Sequence, residues 1–329
     1  MSTAPLLTIA VPTYGRNELL TKNVAFLFEQ LKPEVRVLII DNASPVPVSE
    51  TLGTLPDGVV LVRNTVNVGG NENILRCLEM SDTPWVMVTG DDDRALPDMI
   101  DRILNDIAAN PDATILHYAT ANMHQRKQEW QTRGRMEFLS RLDSFGNLLF
   151  ISSSVFNVAK LRGAFDWAHH YTYSCAPHLV LLLKAMEPDA VATFHSASLV
   201  DWTLPKVENR GSKFPMALGL PTLLELPLSA EERRLLARHL ARFNTAGELL
   251  HEALLATLFG GRTRREALGL YLHALHRLPL RYALLRRLWG WYLAPMLLTP
   301  RLSYAIVGRF ARAILGRPMG RDNLRSEQL

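Results

Sequence analysis

The sequence of 329 residues contains only two cysteines, Cys77 and Cys175. Two distant cysteines cannot form the disulfide framework of a small secreted domain, and they do not match the spacing of a paired metal-binding motif. No apolar run reaches the roughly 18 residues needed to cross a bilayer, and the first residues lack the basic segment of a signal peptide. We therefore expect a cytoplasmic protein without an export signal or a spanning helix.

Acidic residues are missing from one long stretch near the C-terminus. Residues 267–321 contain nine arginines and no Asp or Glu. The whole segment 230–329 has a formal net charge of +10, so residues 1–229 have −6, although the complete chain has +4. This asymmetry predicts two parts with different partners: a domain over residues 1–229 and a basic α-helical region over residues 230–329.

Short apolar runs alternate with helical patterns in the first hundred residues, which predicts an α/β fold with a Rossmann-like parallel sheet covered by helices. The apolar runs expected to be buried strands cover residues 6–12, 35–41, 59–64 and 85–90. Apolar residues recur at helical spacing over residues 17–31, 71–80, 230–259 and 263–278. The stretch 150–157 alternates like a strand, whereas residues 126–135 are polar and show no clear pattern.

Polar residues follow each of the four strands, and ligands of such sheets bind beyond the carboxyl ends of the strands. The most informative cluster is Asp91, Asp92 and Asp93, directly after the fourth strand. Three adjacent carboxylates repel one another unless a cation neutralises them, so we expect Mg or Mn bridging to a diphosphate. The alternative is an N-terminal cap for the helix that starts near Pro97, for which one aspartate would suffice.

Two further turns are candidates for ligand binding. The sequence NVGGNEN at residues 67–73 follows a strand and opens a helix, so its backbone amides could approach an anion or a sugar. A plain strand-to-helix turn is the alternative. Asp41 ends the second strand and could accept a hydrogen bond from a base or a ribose, or simply stabilise a turn.

Four motifs together resemble a known family: AVPTYGR at residues 10–16, IIDNAS at 39–44, NVGGNEN at 67–73 and VTGDDDRALPD at 88–98. In order and spacing they resemble the inverting family 2 glycosyltransferases with the GT-A fold, over about residues 6–110. The resemblance implies a mixed sheet with helices on both faces and a nucleotide-diphosphate-sugar donor. It also implies a donor site and a metal site made of the following residues. The donor site would comprise Pro12, Thr13, Tyr14, Arg16, Asp41, Asn67, Gly69, Gly70, Asn73, Asp91 and Asp92, and the metal ligands would be Asp91, Asp92 and Asp93.

The second half of the predicted domain matches less closely. Residues 150–166 resemble the acceptor-side strand of the family, which implies a Glu-Asp pair about ten residues later. This chain has Pro177 and His178 there. His178 is chemically able to act as the base for the acceptor hydroxyl; the alternative is that it only caps or packs. Asp143, Asp166 and Asp201 are the substitutes for the base.

Two basic segments have open interpretations. Residues 206–213, KVENRGSK, could close on a diphosphate as a lid or form a solvated loop. Residues 267–321 include Trp289, Trp291 and Tyr292 beside arginines, which is typical of a helix on an anionic membrane surface. The alternative is a helical subdomain that packs on protein. No nucleic-acid-binding module is recognisable, so we expect no nucleic-acid partner.

The expected function is a metal-dependent inverting glycosyltransferase that moves a sugar to a saccharide or lipid-linked acceptor. The resemblance suggests synthesis of a cell-surface polysaccharide or lipopolysaccharide, with peripheral attachment at the inner face of the cell membrane. The rival interpretation is a nucleotide-sugar-binding module that resembles a glycosyltransferase but has lost turnover together with the Glu-Asp pair.

Overall fold

The structure is a computed structural model that describes residues 4–121, 123–201, 213–258 and 262–277, together with a few residues between 298 and 309. The chain forms two compact units. The first comprises Met1–Thr203 and Leu226–Leu235, and the second comprises Leu204–Glu225 and Leu236–Leu329. Of the predicted lid at residues 206–213, all but Lys213 lie outside the described residues. The predicted membrane-binding aromatics Trp289, Trp291 and Tyr292 also lie outside them.

An eight-stranded mixed sheet forms the centre of the first unit, in the order β3-β2-β1-β4-β8-β6-β9-β7. β1 to β4 are parallel, whereas β8 lies antiparallel between β4 and β6, and β7 pairs antiparallel with β9 at the sheet edge. The strands are β1 (Leu7–Thr13), β2 (Val35–Asp41), β3 (Val59–Arg63), β4 (Trp85–Val88), β6 (Ala113–Ala119), β7 (Trp130–Arg133), β8 (Ser154–Asn157) and β9 (Val191–Ser198).

A separate two-stranded ribbon lies directly after the predicted aspartate motif. β5 (Arg94–Ala95) pairs antiparallel with β10 (Val200–Asp201), and Asp201 is opposite Arg94 in the register. The ribbon therefore brings the backbone of Asp201 close to the residues that follow Asp93, although more than one hundred positions separate them in sequence.

Helices of the first unit cover the sheet. Alternate residues of a strand point to opposite faces, so each face presents apolar side chains that need to be covered. Leu7, Ile9 and Val11 of β1 belong to one core with apolar residues of α1 and α3. The intervening Ala10 is also fully buried, and α2 contacts β1 as well. The helices are α1 (Asn17–Phe28), α2 (Gly70–Glu79), α3 (Met99–Ala109), α4 (Gly134–Arg141), α5 (Phe145–Leu149), α6 (Val158–Leu161), α7 (Phe165–His170) and α8 (Pro177–Ala185).

The second unit has its own apolar core, and its described part is helical. This core is formed by residues of α9 (Lys213–Gly219), α11 (Ala246–Leu258) and α12 (Arg264–Arg277). Tyr271 is fully buried in it. Thr245 and Glu248 exchange hydrogen bonds at the start of α11, and Thr263 and Glu266 do the same for α12. These reciprocal bonds satisfy amides at the helix starts. In the parts of the chain described here, no helix is both long and apolar enough to cross a membrane.

The predicted α/β fold with a helical C-terminal region is confirmed. The four predicted strands correspond to β1 to β4 within two residues at each end. Two details differ. The polar stretch 126–135 contains β7, a four-residue edge strand in which only Thr132 is buried. The helical pattern of residues 230–259 is divided at Asn244 and Thr245 into α10 (Ala230–Phe243) and α11.

Candidate active site

The carboxyl ends of β1, β2 and β4 bring polar residues from distant parts of the sequence together. The amide of Asn42 donates to the carbonyl of Thr13 at 2.9 Å, and the amide of Asn64 donates to the carbonyl of Asp41 at 2.8 Å. Because parallel strands end at the same edge, the turn after each strand becomes a neighbour of the next. This edge contains most of the predicted donor-site residues.

Asp91 is the most constrained of the three aspartates. It is 1% exposed, and its carboxylate accepts a hydrogen bond of 2.6 Å from the hydroxyl of Thr13. Arg16 forms an ion pair with the same carboxylate, and its Nε donates at 3.2 Å. Burial raises the pKa of Asp91 to about 6, and the nearby Arg16 and Thr13 offset only part of that effect.

Asp92 and Asp93 have different surroundings. The side chain of Asp92 is 41% exposed and lies 3.0 Å from Nη1 of Arg16. Asp93 is buried and accepts hydrogen bonds from the hydroxyl of Ser152 and, at 3.2 Å, from the amide of Gly90. Burial raises the pKa of Asp93 to about 6, with Ser152 acting in the opposite direction. The three adjacent carboxylates therefore point to three different sets of neighbours.

The neighbours of Asp91, Asp92 and Asp93 determine whether these carboxylates suit a divalent cation. Among the described residues, no three His, Cys, Asp or Glu side chains are grouped as a metal site. Thr13 and Arg16 hold Asp91, and Ser152 and Gly90 hold Asp93, so Asp92 has the most accessible carboxylate. This arrangement fits a cation with one or two carboxylate ligands and further oxygens from a bound diphosphate, as Mg commonly has.

Asp41 is built into the turn that follows β2. It is 1% exposed, accepts from the amide of Ser44 at 2.8 Å and from the amide of Val48 at 3.3 Å, and pairs with Arg63. Burial favours the neutral acid, but the bonds from Ser44, Val48 and Arg63 outweigh it and lower the pKa of Asp41. In this conformation its carboxylate stabilises the turn, and Arg63 is the more exposed member of the pair.

A network of asparagines holds the loop between β3 and α2. The side-chain amide of Asn64 donates to Asn42 and Asn73 at 2.9 Å, and Asn42 donates to Asn67 at 2.9 Å. Asn67 in turn accepts from the amide of Gly69 at 2.8 Å. Of the predicted residues here, Asn73 is buried, whereas Asn67, Gly69 and Gly70 are exposed beside the start of α2.

Glycine has a conformational role at two of these turns. Gly69 has φ +90° and Gly15 has φ +65°, a region that favours glycine because it lacks a Cβ. Gly15 donates its amide to the hydroxyl of Ser44 at 2.9 Å, which joins the turns after β1 and β2. Two further residues of the predicted donor site lie nearby: Pro12 is in β1, and Tyr14 is 46% exposed at the same edge.

The four candidates for the base lie in different environments. His178 is 3% exposed in the first turn of α8, and burial lowers its pKa to about 4. A base must reach the acceptor hydroxyl, so the burial of His178 argues against that role in this conformation. Asp166 is exposed on α7, and Asp201 is half-buried in β10 opposite Arg94.

Asp143 is tightly paired. It accepts from Nε2 of His124 at 2.8 Å and from Nε of Arg126 at 2.9 Å. Burial alone would raise its pKa, but the bonds from Arg126 and His124 lower it to about 2. A carboxylate with so low a pKa is a weak proton acceptor, so Asp143 is better described as the partner of Arg126.

Several residues at this edge were not singled out from the sequence as site residues. Ser152 holds Asp93, Arg63 holds Asp41, and Asn23 donates to the carbonyl of Asp91 at 2.9 Å. Asn42 and Asn64 belonged to polar clusters at strand ends, which was the available signal for them. Asn23 and Ser152 lie inside a helical and a strand-like pattern, so nothing in the local sequence marked them.

The sequence of this chain is similar to those of known proteins. The sequence profile described as glycosyl transferase family 2 matches residues 8–177. An uncharacterized glycosyltransferase of Haemophilus influenzae is 27% identical over 114 residues, which covers 34% of this chain and 38% of that relative. The match therefore spans well under half of the curated relative's length.

Two solved structures share the fold over most of the chain. TarS residues 1–349 of S. aureus in complex with UDP-GlcNAc has a TM-score of 0.58 at 15% identity, covering 94% of this chain and 92% of that one. The mannosyltransferase PcManGT of Pyrobaculum calidifontis, in complex with GDP-Man and Mn2+, has a TM-score of 0.52 at 16% identity, covering 92% and 88%. The fold, the strand-end geometry and a profile match over more than half of the residues agree, and this chain belongs to glycosyl transferase family 2.

Proposed function

We propose that this protein transfers a sugar from a nucleotide-diphosphate donor to a saccharide or lipid-linked acceptor, with inversion at the anomeric carbon. The observation that supports this most is the contact of Thr13 and Arg16 with Asp91, across 78 and 75 positions of sequence. It joins the first and last predicted donor motifs at one strand edge in a family 2 chain. Synthesis of a cell-surface polysaccharide or lipopolysaccharide is the proposed setting.

Arg16 is proposed to bind the diphosphate directly, and Asp92 is proposed to bind it through a divalent cation. The guanidinium of Arg16 is half-exposed and reaches both Asp91 and Asp92, so it can also donate to a phosphate oxygen at the same place. The backbone amides at Gly69 and Gly70, at the start of α2, supply positive potential for the donor. The turn that Asp41 stabilises, together with Arg63, shapes the position proposed for the nucleobase of the donor.

A divalent cation, Mg or Mn, fits beside Asp92 as described above. When bound, it would offset the negative charge of the departing nucleoside diphosphate. Thr13 and Arg16 hold Asp91 in place, and Ser152 holds Asp93, so the turn is organised before any ligand arrives. Preorganised groups of this kind avoid the cost of rearrangement during the reaction.

The proposed reaction forms one bond and breaks another. The acceptor hydroxyl oxygen attacks the anomeric carbon, the bond from that carbon to the diphosphate oxygen breaks, and the nucleoside diphosphate leaves with the bonding electrons. The hydroxyl proton passes to a carboxylate base. We assign that role to Asp201, because its strand pairs with Arg94, the residue that follows Asp93.

A binding module without turnover is the second candidate. The burial of His178 and the pairing of Asp143 favour it, since two of the four candidate bases are withdrawn from solvent or neutralised. Such a protein would bind a nucleotide sugar and neither hydrolyse nor transfer it. Membrane attachment through residues 267–321 would serve a lipid-linked acceptor in either case.

A panel of nucleotide sugars tests the proposal. UDP-GlcNAc and GDP-Man come first, because the solved structures described above contain them. A cognate donor with Mg or Mn should raise the thermal midpoint, since binding to the native state alone adds about 2.7 kcal/mol at a hundredfold excess over Kd. Release of free sugar or nucleoside diphosphate then separates the two candidates. No stabilisation by any nucleotide sugar, with either metal, would contradict both.

A further inference from the structure

Three aromatic rings form a ladder at the end of α7. Trp167 and Tyr171 are four positions apart, which brings side chains to the same side of a helix. Their rings lie 6.2 Å apart at an interplanar angle of 14°. The short 3-10 turn after α7 then brings Tyr173 into line, with its ring 5.7 Å from that of Tyr171 at 22°.

The ladder is anchored at one end and accessible at the other. Nζ of Lys184, on α8, lies 4.6 Å from the ring centroid of Trp167, an arrangement that stabilises both groups. Tyr173 at the opposite end is 56% exposed. Cys175 follows with φ +63°, so the chain turns sharply before α8 begins. Stacking on Tyr171 therefore helps to orient the exposed ring of Tyr173.

Hydrogen bonds and an ion pair join this ladder to the proposed donor loop. Nδ2 of Asn71, in the first turn of α2, donates to the carbonyl of Thr172 at 3.1 Å. Nδ1 of His169 lies 3.0 Å from Glu72 of the same turn. The ladder thus ends next to residues 67–73 on one side. On the other side it is followed by positions 177–178, where the family resemblance expects acceptor-side acids.

From this placement we propose that the exposed ring of Tyr173, supported by Tyr171 and Trp167 behind it, is a stacking platform for a pyranose ring of the acceptor. The proposal rests on the proposed function and adds the chemical class of the acceptor group. A pyranose has an apolar C–H face and hydroxyl edges, which suits a tyrosine ring with a polar tip. The carboxylates of Glu72 and Glu79, both near His169, disfavour a polyanion at this place and leave a neutral sugar as the fitting occupant.

Saturation-transfer NMR on the full-length chain, with UDP or GDP and Mg present, tests the platform directly. The probes are the methyl glycosides of glucose, galactose, mannose and N-acetylglucosamine. At least one should show saturation concentrated on the protons of a single ring face. Tyr173→Ala should weaken its binding by about three- to tenfold, the range expected for loss of one aromatic contact, whereas Tyr173→Phe should stay within about twofold of the wild type.

Trp130→Phe is the matched control, because Trp130 stacks on Phe194 at 5.0 Å in a separate aromatic pair of the same unit. It should bind the glycoside as the wild type does. Equal binding by Tyr173→Ala, or no face-selective saturation with any of the four glycosides, would overturn the platform. Binding of UDP and GDP, measured on the same samples, reports the donor site separately. Its absence would contradict the proposed function and not the platform.

Discussion

Two parts of the first unit differ in how their acids are held: the proposed donor edge, at the ends of β1, β2 and β4, and the proposed acceptor segment, residues 124–178. At the donor edge, burial raises the pKa of Asp91 and Asp93 to about 6. In the acceptor segment, Arg126 and His124 more than compensate for burial and lower the pKa of Asp143 to about 2. The first pair of carboxylates is costly to ionise without a further cation, whereas Asp143 already has its counter-charges.

Under the proposed function, this difference predicts that donor binding and proton transfer depend on separate groups of residues. Carboxylates with raised pKa values at a strand edge mark a site that a cationic ligand would stabilise. Among the four candidate bases, His178 is buried and Asp143 is paired, which leaves Asp166 and Asp201. Substitutions at the two places should therefore have different signatures: loss of nucleotide binding at the donor edge, and loss of turnover alone at the acceptor side.

The largest expected effect belongs to Asp201, the base that we propose for the acceptor side. Asp201→Asn should lower the transfer rate by about 10² to 10⁴-fold, the range for loss of a general base. Nucleotide affinity should change little, because the substitution leaves the donor edge intact. Steady-state transfer rates and calorimetric titration with the nucleoside diphosphate measure the two quantities.

Asp189→Asn is the control for that experiment, since the side chain of Asp189 is 98% exposed and Asp189 lies outside the ribbon and the proposed site. A transfer rate near that of the wild type in Asp201→Asn would remove Asp201 from the mechanism. A similar fall in both variants would mean that the comparison does not isolate one base.

The next largest effect concerns the cation at the donor edge. Asp92→Asn should weaken metal-dependent nucleotide binding by at least about 10- to 100-fold, since even residues that only support a metal ligand cost that much when replaced. Titration of the nucleoside diphosphate with and without Mn gives the metal-dependent part.

Asp98→Asn provides a matched loss of one exposed carboxylate nearby, because Asp98 pairs with Arg102 at the start of α3. It should leave the metal dependence unchanged. If Asp92→Asn bound nucleotide with wild-type affinity in Mn, the cation would have to lie elsewhere.

The contrast between the acidic first part and the basic C-terminal segment predicts a membrane effect. The full chain should float with vesicles containing anionic lipid at low salt and lose most binding at high salt. Replacing Arg286 and Arg287 with Gln should weaken binding by about 30-fold, because each arginine near an anionic leaflet contributes about 1 kcal/mol.

The double substitution Arg233→Gln and Arg234→Gln is the control, since both residues lie in α10, outside the acid-free segment. It should float as the wild type does. Absence of flotation at low salt would assign residues 267–321 to packing on protein.

The smallest effect is a change in the pH dependence of stability at His178. Burial lowers its pKa from 6.5 to about 4, so the unfolded chain binds the proton more readily between those values. Stability is therefore fully present above pH 6.5 and falls as the pH drops towards 4. As the pH falls from 6.5 to 5.5, the burial of His178 should lower the free energy of unfolding by about 1 kcal/mol.

His178→Leu should remove that part of the pH dependence, which thermal unfolding at several pH values measures. His117, whose pKa is lowered by burial to about 3, should continue to destabilise the protein at low pH in the variant. An unchanged pH profile would contradict the burial of His178. A fall of about 10² to 10⁴-fold in its transfer rate would return the base to this position.

How much was predictable differs between the two halves of the first unit. The runs that became β1, β2 and β4 are apolar because both faces of the sheet are buried there, so their pattern is visible locally. β7 was missed because it is a four-residue edge strand in which only Thr132 is buried and Arg133 is exposed. Arg63 and Ser152 were not identified as site residues, since their role depends on Asp41 and Asp93 arriving beside them.

The sequence by itself determined that this chain has a parallel α/β core, a turn with three aspartates after the fourth strand, and a basic C-terminal segment. Periodicity, turn residues and charge are local properties, and they survive without knowledge of the contacts. Only the tertiary structure decided that Arg16 holds Asp91, that His178 is buried and that Tyr173 stands at the end of an aromatic ladder. Those properties depend on which strands and helices become neighbours, and burial and counter-charges set the chemistry of each side chain.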